Sequence, residues 1–229
     1  MREENGFTLI ELLVTLMTSL ILVSAIVVMT TAALHNQDRI NRRVDANQRV
    51  RPVMTRIVQE LHSACVAPRI TPVIGDGTTN GSTATRISFL SKSGSAVTLT
   101  PDLHVISLTG TTLSESVYPA TAGAAPGPWT FSSSATSSRP LLTRVSAPAS
   151  GMFQYYDFVN GQVDTSPTVV PVSASDAAKV AIVKVTISSQ PSNGVSTKDL
   201  GSPLVVSNTA DLRLENAGQF PNQDNLPCV

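Results

Sequence analysis

The sequence contains few charged residues, few aromatic residues and almost no cysteine. Charged residues make up 14% of the 229 positions, the formal net charge is +0, and aromatic residues make up 4%. A chain without an overall basic excess lacks the composition typical of a nucleic-acid-binding domain. The length is sufficient to bury a sizeable core and predicts one domain, or one domain with an appendage.

The common catalytic and metal-binding motifs are also missing from the sequence. The histidines, His35, His62 and His104, do not stand at metal-ligand spacing, and neither an HExxH nor a CxxC motif occurs. No G-x-S-x-G segment offers a nucleophilic serine, and the glycines of GDGTTNG (75–81) lack the lysine of a phosphate-binding loop. The sequence therefore predicts no catalytic residue, no metal site and no cofactor.

A long apolar segment lies near the amino terminus. Residues 12–34 contain no charged residue, proline or glycine, and as a helix they would extend roughly 35 Å, enough to cross a hydrocarbon core of about 30 Å. A cleavable secretory signal, with Thr31 and Ala33 at its cleavage site, is one alternative, but its apolar region spans only about 7–15 residues. A generic signal anchor does not explain Glu11, because an acid in a membrane segment is costly unless it is paired.

The segment GFTLIELLVTLMTSLILVSAIV (6–27) resembles the amino-terminal signature of type IV prepilins and of the pseudopilins of type II secretion. The shared features are a short leader ending in glycine, then phenylalanine, then glutamate as fifth residue of the processed chain, within an apolar helix. The resemblance implies cleavage by a prepilin peptidase between Gly6 and Phe7, and N-methylation of Phe7. It also implies that Glu11 faces the amino group of a neighbouring subunit during assembly, which would neutralise the carboxylate.

The chain departs from this family pattern in two respects. The leader has Arg2 against Glu3 and Glu4, without the basic excess common in such leaders. The positive-inside rule would place the arginines after Leu34 in the cytoplasm, whereas the family motif, on which we base the predicted orientation, places them outside. In addition, no proline interrupts residues 7–51, which favours a minor pilin or pseudopilin over a major pilin.

Residues 35–66 predict an amphipathic continuation of the helix. Pro52 lacks a backbone N–H, so we expect a bend near Arg51. The arginines of this stretch lie mostly outside the apolar stripe, where they form either a solvated face or a surface for an anionic partner. The stripe recurs every three or four positions and comprises Ile40, Val44, Asn47, Val50, Met54, Ile57 and Leu61, flanked by Val53 and Val58.

From Pro68 onward, Ser, Thr, Gly and Pro separate short runs of alternating or β-branched residues, a pattern typical of strands joined by turns. Segments 72–85 and 118–140 are predicted to be flexible loops. Within the second loop, we expect Trp129 to pack onto the core rather than to serve as an exposed contact. The predicted strands are 86–91, 96–100, 104–110, 141–146, 152–158, 179–189 and 203–216.

Two cysteines, Cys65 and Cys228, allow one disulfide bond. If the head lies outside the cytoplasmic membrane, a bond between them is permitted and would attach the carboxyl-terminal tail to the end of the helix. Two free buried thiols are the alternative. We predict the bond because the chain uses cysteine so sparingly.

Three further stretches resemble PilW-like minor pilins and occur in a similar order. They are MTRIVQELHSACVAP (54–68), FQYYDFVNG (153–161) and TADLRLENAG (209–218). The resemblance implies a minor pilin of a type IV pilus that initiates or decorates the filament. The alternatives are a minor pseudopilin of type II secretion, a subunit of a DNA-uptake filament, and a membrane-tethered enzyme or ligand-binding protein.

The predicted fold class is α+β and type IV pilin-like, with a long amino-terminal helix and an antiparallel β-rich head. Its parts are a leader (1–6), a transmembrane helix (7–34), an amphipathic helix (35–66) and the head (67–229). The expected partners are other pilin subunits, prepilin peptidase, the inner-membrane assembly platform and the membrane, with no nucleic acid. We expect the chain in the cytoplasmic membrane with its head outside the cytoplasm, and then in a pilus or pseudopilus.

Overall fold

A computed structural model describes residues 8–64, 71, 73–75, 80–91, 101–122, 129–189 and 203–212. In this part of the chain, one long amino-terminal helix precedes antiparallel β structure. The α+β arrangement predicted from the sequence is therefore confirmed. The chain divides into two compact units, residues 1–44 and residues 45–229.

Helix α1 extends over Leu9–His62 and remains helical through Pro52. Thr8 precedes its first residue, and the Thr8 carbonyl accepts hydrogen bonds from the backbone N–H groups of Glu11 and Leu12 at 3.1 and 3.2 Å. In the first unit, the apolar side chains of α1 are exposed. An α-helix satisfies its backbone hydrogen-bonding groups internally, which is the condition for a segment to lie in an apolar surrounding.

The second half of α1 supplies one wall of the core of the second unit. Its buried residues recur at helical spacing and are Ala46, Val50, Met54, Ile57 and Leu61, which confirms the predicted stripe from Val50 onward. The prediction is wrong for Ile40 and Val44, whose side chains are 59% and 47% exposed. Along α1 the fully buried residues begin at Ala46, so the apolar surface that the described residues provide does not extend to these two positions.

Eleven strands and one short helix, α2 Ala174–Ala177, follow within the described residues. The strands are β1 Arg86–Ser91, β2 Asp102–Thr109, β3 Thr112–Tyr118, β4 Ala120–Ala122, β5 Thr130–Phe131, β6 Ser137–Thr143, β7 Val145–Ser146, β8 Phe153–Val159, β9 Gln162–Val163, β10 Val180–Ser189 and β11 Leu204–Asp211. The first sheet has the order β1-β2-β3-β6. The second has the order β11-β10-β8-β9 with β7 paired to the end of β10, and β4 pairs with β5.

Tight turns set the register of two hairpins. Between β2 and β3, Gly110 adopts φ +60° in a two-residue loop that pairs Thr109 with Thr112. Between β8 and β9, Asn160 and Gly161 have φ 53° and 81°, and positive φ at both positions is what a type I′ turn requires. Asn-Gly supplies that geometry at little steric cost.

The core lies between α1 and the two sheets. Its largest fully buried side chains include Tyr155, Phe89 and Phe153. The Tyr155 hydroxyl lies 2.9 Å from the Arg86 carbonyl oxygen and 3.0 Å from that of Thr83, to either of which it can donate. Burial raises the pKa of Tyr155, so this hydroxyl keeps its proton and links β8 to the start of β1.

The opposite face of the first sheet carries a smaller apolar cluster. Leu90, Leu103 and Val105 are buried there, and the partly buried Trp129 and Phe131 pack against them. The expectation that Trp129 packs onto the core is confirmed. Both faces of this sheet are thus in contact with other parts of the second unit.

Most of the predicted strands are confirmed. Strand β1 matches its predicted bounds, and β2, β6, β7, β8, β10 and β11 overlap theirs, whereas 96–100 lies outside the described residues. Strand β3 was not predicted, and the predicted loop at 118–140 is wrong because it contains β4, β5 and the start of β6. These strands are rich in Ser and Thr and partly exposed, so they lack the apolar alternation on which the prediction relied.

Candidate functional site

The predicted cleavage and methylation site, Gly6 and Phe7, lies outside the described residues, as do Cys65 and Cys228 of the predicted disulfide bond. Glu11 is described and is exposed at the start of α1. Of the predicted site residues, Glu11 is the one that the structure describes. The candidate assembly site that can be examined therefore consists of Glu11 and the apolar helix that follows it.

Glu11 takes part in a local capping interaction. The Thr8 hydroxyl lies 3.4 Å from Glu11 Oε2, to which it donates, and the backbone N–H of Glu11 donates to Thr8 Oγ1 at 3.4 Å. The sequence Thr-x-x-Glu at a helix start matches the capping-box pattern; here Thr8 caps the Glu11 N–H, and the Glu11 carboxylate accepts from the Thr8 hydroxyl. A carboxylate in the first turn also interacts favourably with the helix dipole. Glu11 therefore has a local structural role that the sequence analysis did not identify, beside the proposed role in assembly.

Among the described residues of the first unit, the large apolar side chains of α1 are exposed. The apolar window of this helix has a mean hydropathy of 2.6 and is 0% buried. Over the large apolar side chains of residues 9–34, exposure ranges from 85% at Leu9 to 49% at Leu13. By length and composition the helix can cross a membrane, and in water so much apolar surface would require another covering.

The hydroxyl groups of this segment are satisfied by the helix itself. Each donates to a backbone carbonyl three or four residues earlier, at 2.8–3.0 Å. A hydroxyl without a partner would be costly in hydrocarbon, so this pairing makes the polar positions compatible with an apolar surrounding. They are Thr15, Thr18, Ser19, Ser24, Thr30 and Thr31.

A charge cluster with a buried centre and exposed arginines joins α1 to the first sheet in the second unit. It consists of Arg56 and Glu60 on α1, His104 on β2, Glu115 on β3 and Arg139 on β6. Arg139 donates to Glu115 Oε2 from Nε at 3.0 Å and from Nη2 at 2.5 Å, and Arg56 Nε donates to Glu60 Oε1 at 2.7 Å. The side chain of Glu115 is only 1% exposed, so its charge depends on these partners.

The register of the sheet builds this cluster. Glu115 stands directly opposite Arg139 on the neighbouring strand, and His104 reaches it from the other side, with Nδ1 3.0 Å from Glu115 Oε1. An ionised carboxylate only accepts hydrogen bonds, so in this contact His104 Nδ1 is the donor when Glu115 is ionised. The Phe89 ring stacks on the imidazole with 5.6 Å between ring centroids and fixes its orientation.

The cluster also contains a possible metal-ligand set. One ligand atom each from Glu60, His104 and Glu115 lies within 4.8 Å of the others, an arrangement that the spacing of the histidines in the sequence did not reveal. Arg56 and Arg139 already neutralise the two carboxylates, and a divalent cation would have to displace them. The charge balance therefore favours an ion-pair network that fastens α1 to the sheet over a metal centre.

Glu60 has a pKa above the ordinary value of a glutamate. Burial is the largest cause and raises the pKa of Glu60, the nearby charge of Glu115 raises it further, and the hydrogen bond from Arg56 opposes the shift. Glu60 Oε2 is buried and has no hydrogen-bond partner within the described residues. The ionised form of Glu60 is thus held at a cost in the folded state.

This shift predicts how stability changes with pH. A carboxyl group with a raised folded-state pKa binds its proton more tightly when folded, so its contribution to the free energy of unfolding rises as pH falls through that pKa and levels off below the unfolded value of 4.5. We expect wild type to gain stability relative to E60Q as pH is lowered from 7 toward 4.5, by at most about 1.4 kcal/mol per pH unit. Denaturant unfolding at a series of pH values measures this difference.

Asp176 offers a control of opposite sign. The Ser173 hydroxyl, 2.6 Å from Asp176 Oδ2, and the Lys179 ammonium, 3.3 Å from Oδ1, lower the pKa of Asp176. Its contribution is present above the unfolded value of 3.8 and is lost as pH falls through the lower folded-state pKa. Wild type should therefore lose stability relative to D176N in acid, and parallel curves for E60Q and D176N would contradict the assignment.

Comparisons of the chain with protein-family models, with curated proteins and with solved structures find no match. The features of the chain that bear on its function are therefore the amino-terminal helix and its first turn.

Proposed function

We propose that the chain is a minor pilin of a type IV pilus. In this proposal it is made as a prepilin, is held in the cytoplasmic membrane by the first part of α1, and enters the filament through the same segment. The observation that carries the proposal is the apolar, uncovered start of α1 with one carboxylate, Glu11, at its first turn. The prepilin-like residues Gly6 and Phe7 directly precede that turn.

The apolar surface argues for a role beyond that of a soluble head. A helix whose apolar window is 0% buried must be covered by lipid or by other helices, and a filament of packed helices provides the second covering as a membrane provides the first. Glu11 adds a requirement for a specific partner, because a carboxylate at that depth in an apolar surrounding is favourable only opposite a cation. The new amino group of a neighbouring processed subunit is such a cation.

The proposed partners follow from this sequence of events. Prepilin peptidase removes residues 1–6, the inner-membrane assembly platform moves the subunit, and other pilin subunits pack against its helix. The head lies outside the cytoplasmic membrane before assembly. The chain itself supplies no catalysis in this scheme, and the charge cluster of the second unit serves to fasten α1 to the head.

A minor pseudopilin of type II secretion or a DNA-uptake subunit would use the same residues in the same way. A membrane-tethered binding protein is the competing function from a different class. For a tether, any sufficiently apolar helix suffices, so neither Glu11 nor cleavage after Gly6 would matter. Processing and the Glu11 substitutions described below distinguish these classes.

Mass spectrometry of the mature amino terminus tests the proposal directly. In cells that contain a prepilin peptidase, we expect the chain to begin at an N-methylated Phe7. The variant Gly6→Leu should retain the leader, because a bulky residue replaces the smallest one at the bond to be cut. A mature terminus near Leu34 would instead indicate a secretory signal and would contradict the proposal.

A further inference from the structure

Three arginines follow the apolar segment of α1 within the first unit. Arg39 and Arg43 are exposed and Arg42 is half-buried. Asp38 is the single acid among residues 35–44, so this short stretch has a clear positive excess although the whole chain has a net charge of +0.

The distance along the helix places these arginines close to a membrane surface. If the apolar segment ends at Leu34, the backbone of Arg39 lies roughly 7.5 Å farther along the helix and that of Arg43 roughly 13.5 Å. The polar headgroup region adds about 5–8 Å on each side of the hydrocarbon core. Because long arginine side chains can extend back toward the membrane, their guanidinium groups reach the level of the lipid phosphates.

We propose that Arg39, Arg42 and Arg43 form a basic collar that binds the phosphate groups of anionic lipids. This inference rests on the membrane placement in the proposed function. A guanidinium group matches the geometry of phosphate with two parallel N–H donors. The collar is continuous with the apolar segment, and this continuity favours a lipid surface over a nucleic acid, whose backbone offers similar phosphates without an apolar phase beside them.

The collar bears on the orientation of the chain. If loop charge alone set the orientation, arginines after the transmembrane segment would keep the part of the chain that follows them in the cytoplasm. Arginines engaged by anionic headgroups on the outer surface are partly neutralised there. The collar then anchors the helix at the outer surface. In that case the arginines are compatible with the orientation proposed from the Gly6–Phe7 motif.

The test uses the full chain reconstituted in phosphatidylcholine vesicles that contain a minority of phosphatidylglycerol. Electron spin resonance of spin-labelled lipids measures how strongly the protein selects phosphatidylglycerol over phosphatidylcholine. Each basic residue near an anionic surface strengthens attraction up to about fivefold, so we expect clear selectivity in wild type and its loss in R39Q/R42Q/R43Q. Selectivity should also weaken in high salt, because the collar is exposed.

Two control variants make the test specific. D38N removes the acid beside the collar and should raise selectivity, whereas R144Q removes an exposed arginine of the second unit and should leave selectivity unchanged. Equal losses in R144Q and R39Q would show that only net charge matters and would overturn the collar. The collar would also be overturned if wild type selected phosphatidylglycerol and phosphatidylcholine equally. Preferential binding of the collar to a short DNA duplex over the vesicles would overturn it as well.

Failure of the collar can be told apart from failure of the proposed function. A chain that floats with vesicles and is processed at Gly6 but shows no lipid selectivity would overturn the collar alone. A chain that does not float with vesicles would overturn both the membrane placement and the collar.

Discussion

Replacing Glu11 by glutamine should reduce incorporation into filaments on the order of a hundredfold while the amount of protein in the membrane stays unchanged. The expected effect is large because loss of one partner from a poorly solvated ion pair leaves the other charge uncompensated, at a cost of about 3 kcal/mol or more. Glutamine still supports a capping box, so helix α1 should begin at the same residue. The ratio of filament to membrane protein, measured by shearing and immunoblotting, gives the result.

The variant Thr8→Ala separates the two roles of Glu11. It removes the hydroxyl that contacts Glu11 Oε2 but keeps the negative charge, and the loss of a cap costs about 1 kcal/mol. We expect T8A to enter filaments nearly as well as wild type. If E11Q assembles normally, or if T8A is as defective as E11Q, then Glu11 acts through helix capping and the proposed assembly contact is wrong.

Replacing Ile57 by alanine should lower the free energy of unfolding of the second unit by about 2–5 kcal/mol. Ile57 is 0% exposed and lies in the core formed by α1 and both sheets. Truncation removes apolar contacts and leaves a cavity that the surrounding strands can fill only in part. Denaturant unfolding of the full chain in detergent, followed by the fluorescence of Trp129, measures the loss.

Ile40→Ala is the matched control on the same helix. Ile40 is 59% exposed, so the same chemical change should alter stability by no more than about 0.5 kcal/mol. Equal destabilisation by I40A and I57A would mean that the apolar stripe is covered along its whole predicted length. That outcome would restore the original prediction for Ile40 and contradict the burial described above.

The strongest periodic and β-branched signals in the sequence predicted their elements well. Helix α1 and β10 have clear patterns. The hairpin at Asn160-Gly161 was not predicted, although Asn-Gly between two strands is a turn signal. The stripe on α1 was extended too far because periodicity shows which side of a helix is apolar but not where the partner surface begins. Ile40 continues the pattern and yet lies before the core.

The charge cluster could not be predicted from the sequence. Glu115 lies on β3, whose polar residues gave no strand signal, and its contact with Arg139 depends on the pairing of β3 with β6. His104 and Glu60 come from two other elements. Such a cluster arises from strand register and helix placement together, and neither can be predicted from the spacing of residues along the sequence.

The hydroxyl groups of the apolar segment have one more consequence. Because Thr18 and Ser24, like the other hydroxyl residues there, donate to their own helix, the segment has no hydrogen bond to exchange when its surroundings change from lipid chains to neighbouring helices. Under the proposed function, transfer of this segment from the membrane into a filament would break none of these hydrogen bonds. The same helix surface would then serve in both surroundings, and return of a subunit from the filament to the membrane would also leave these bonds intact.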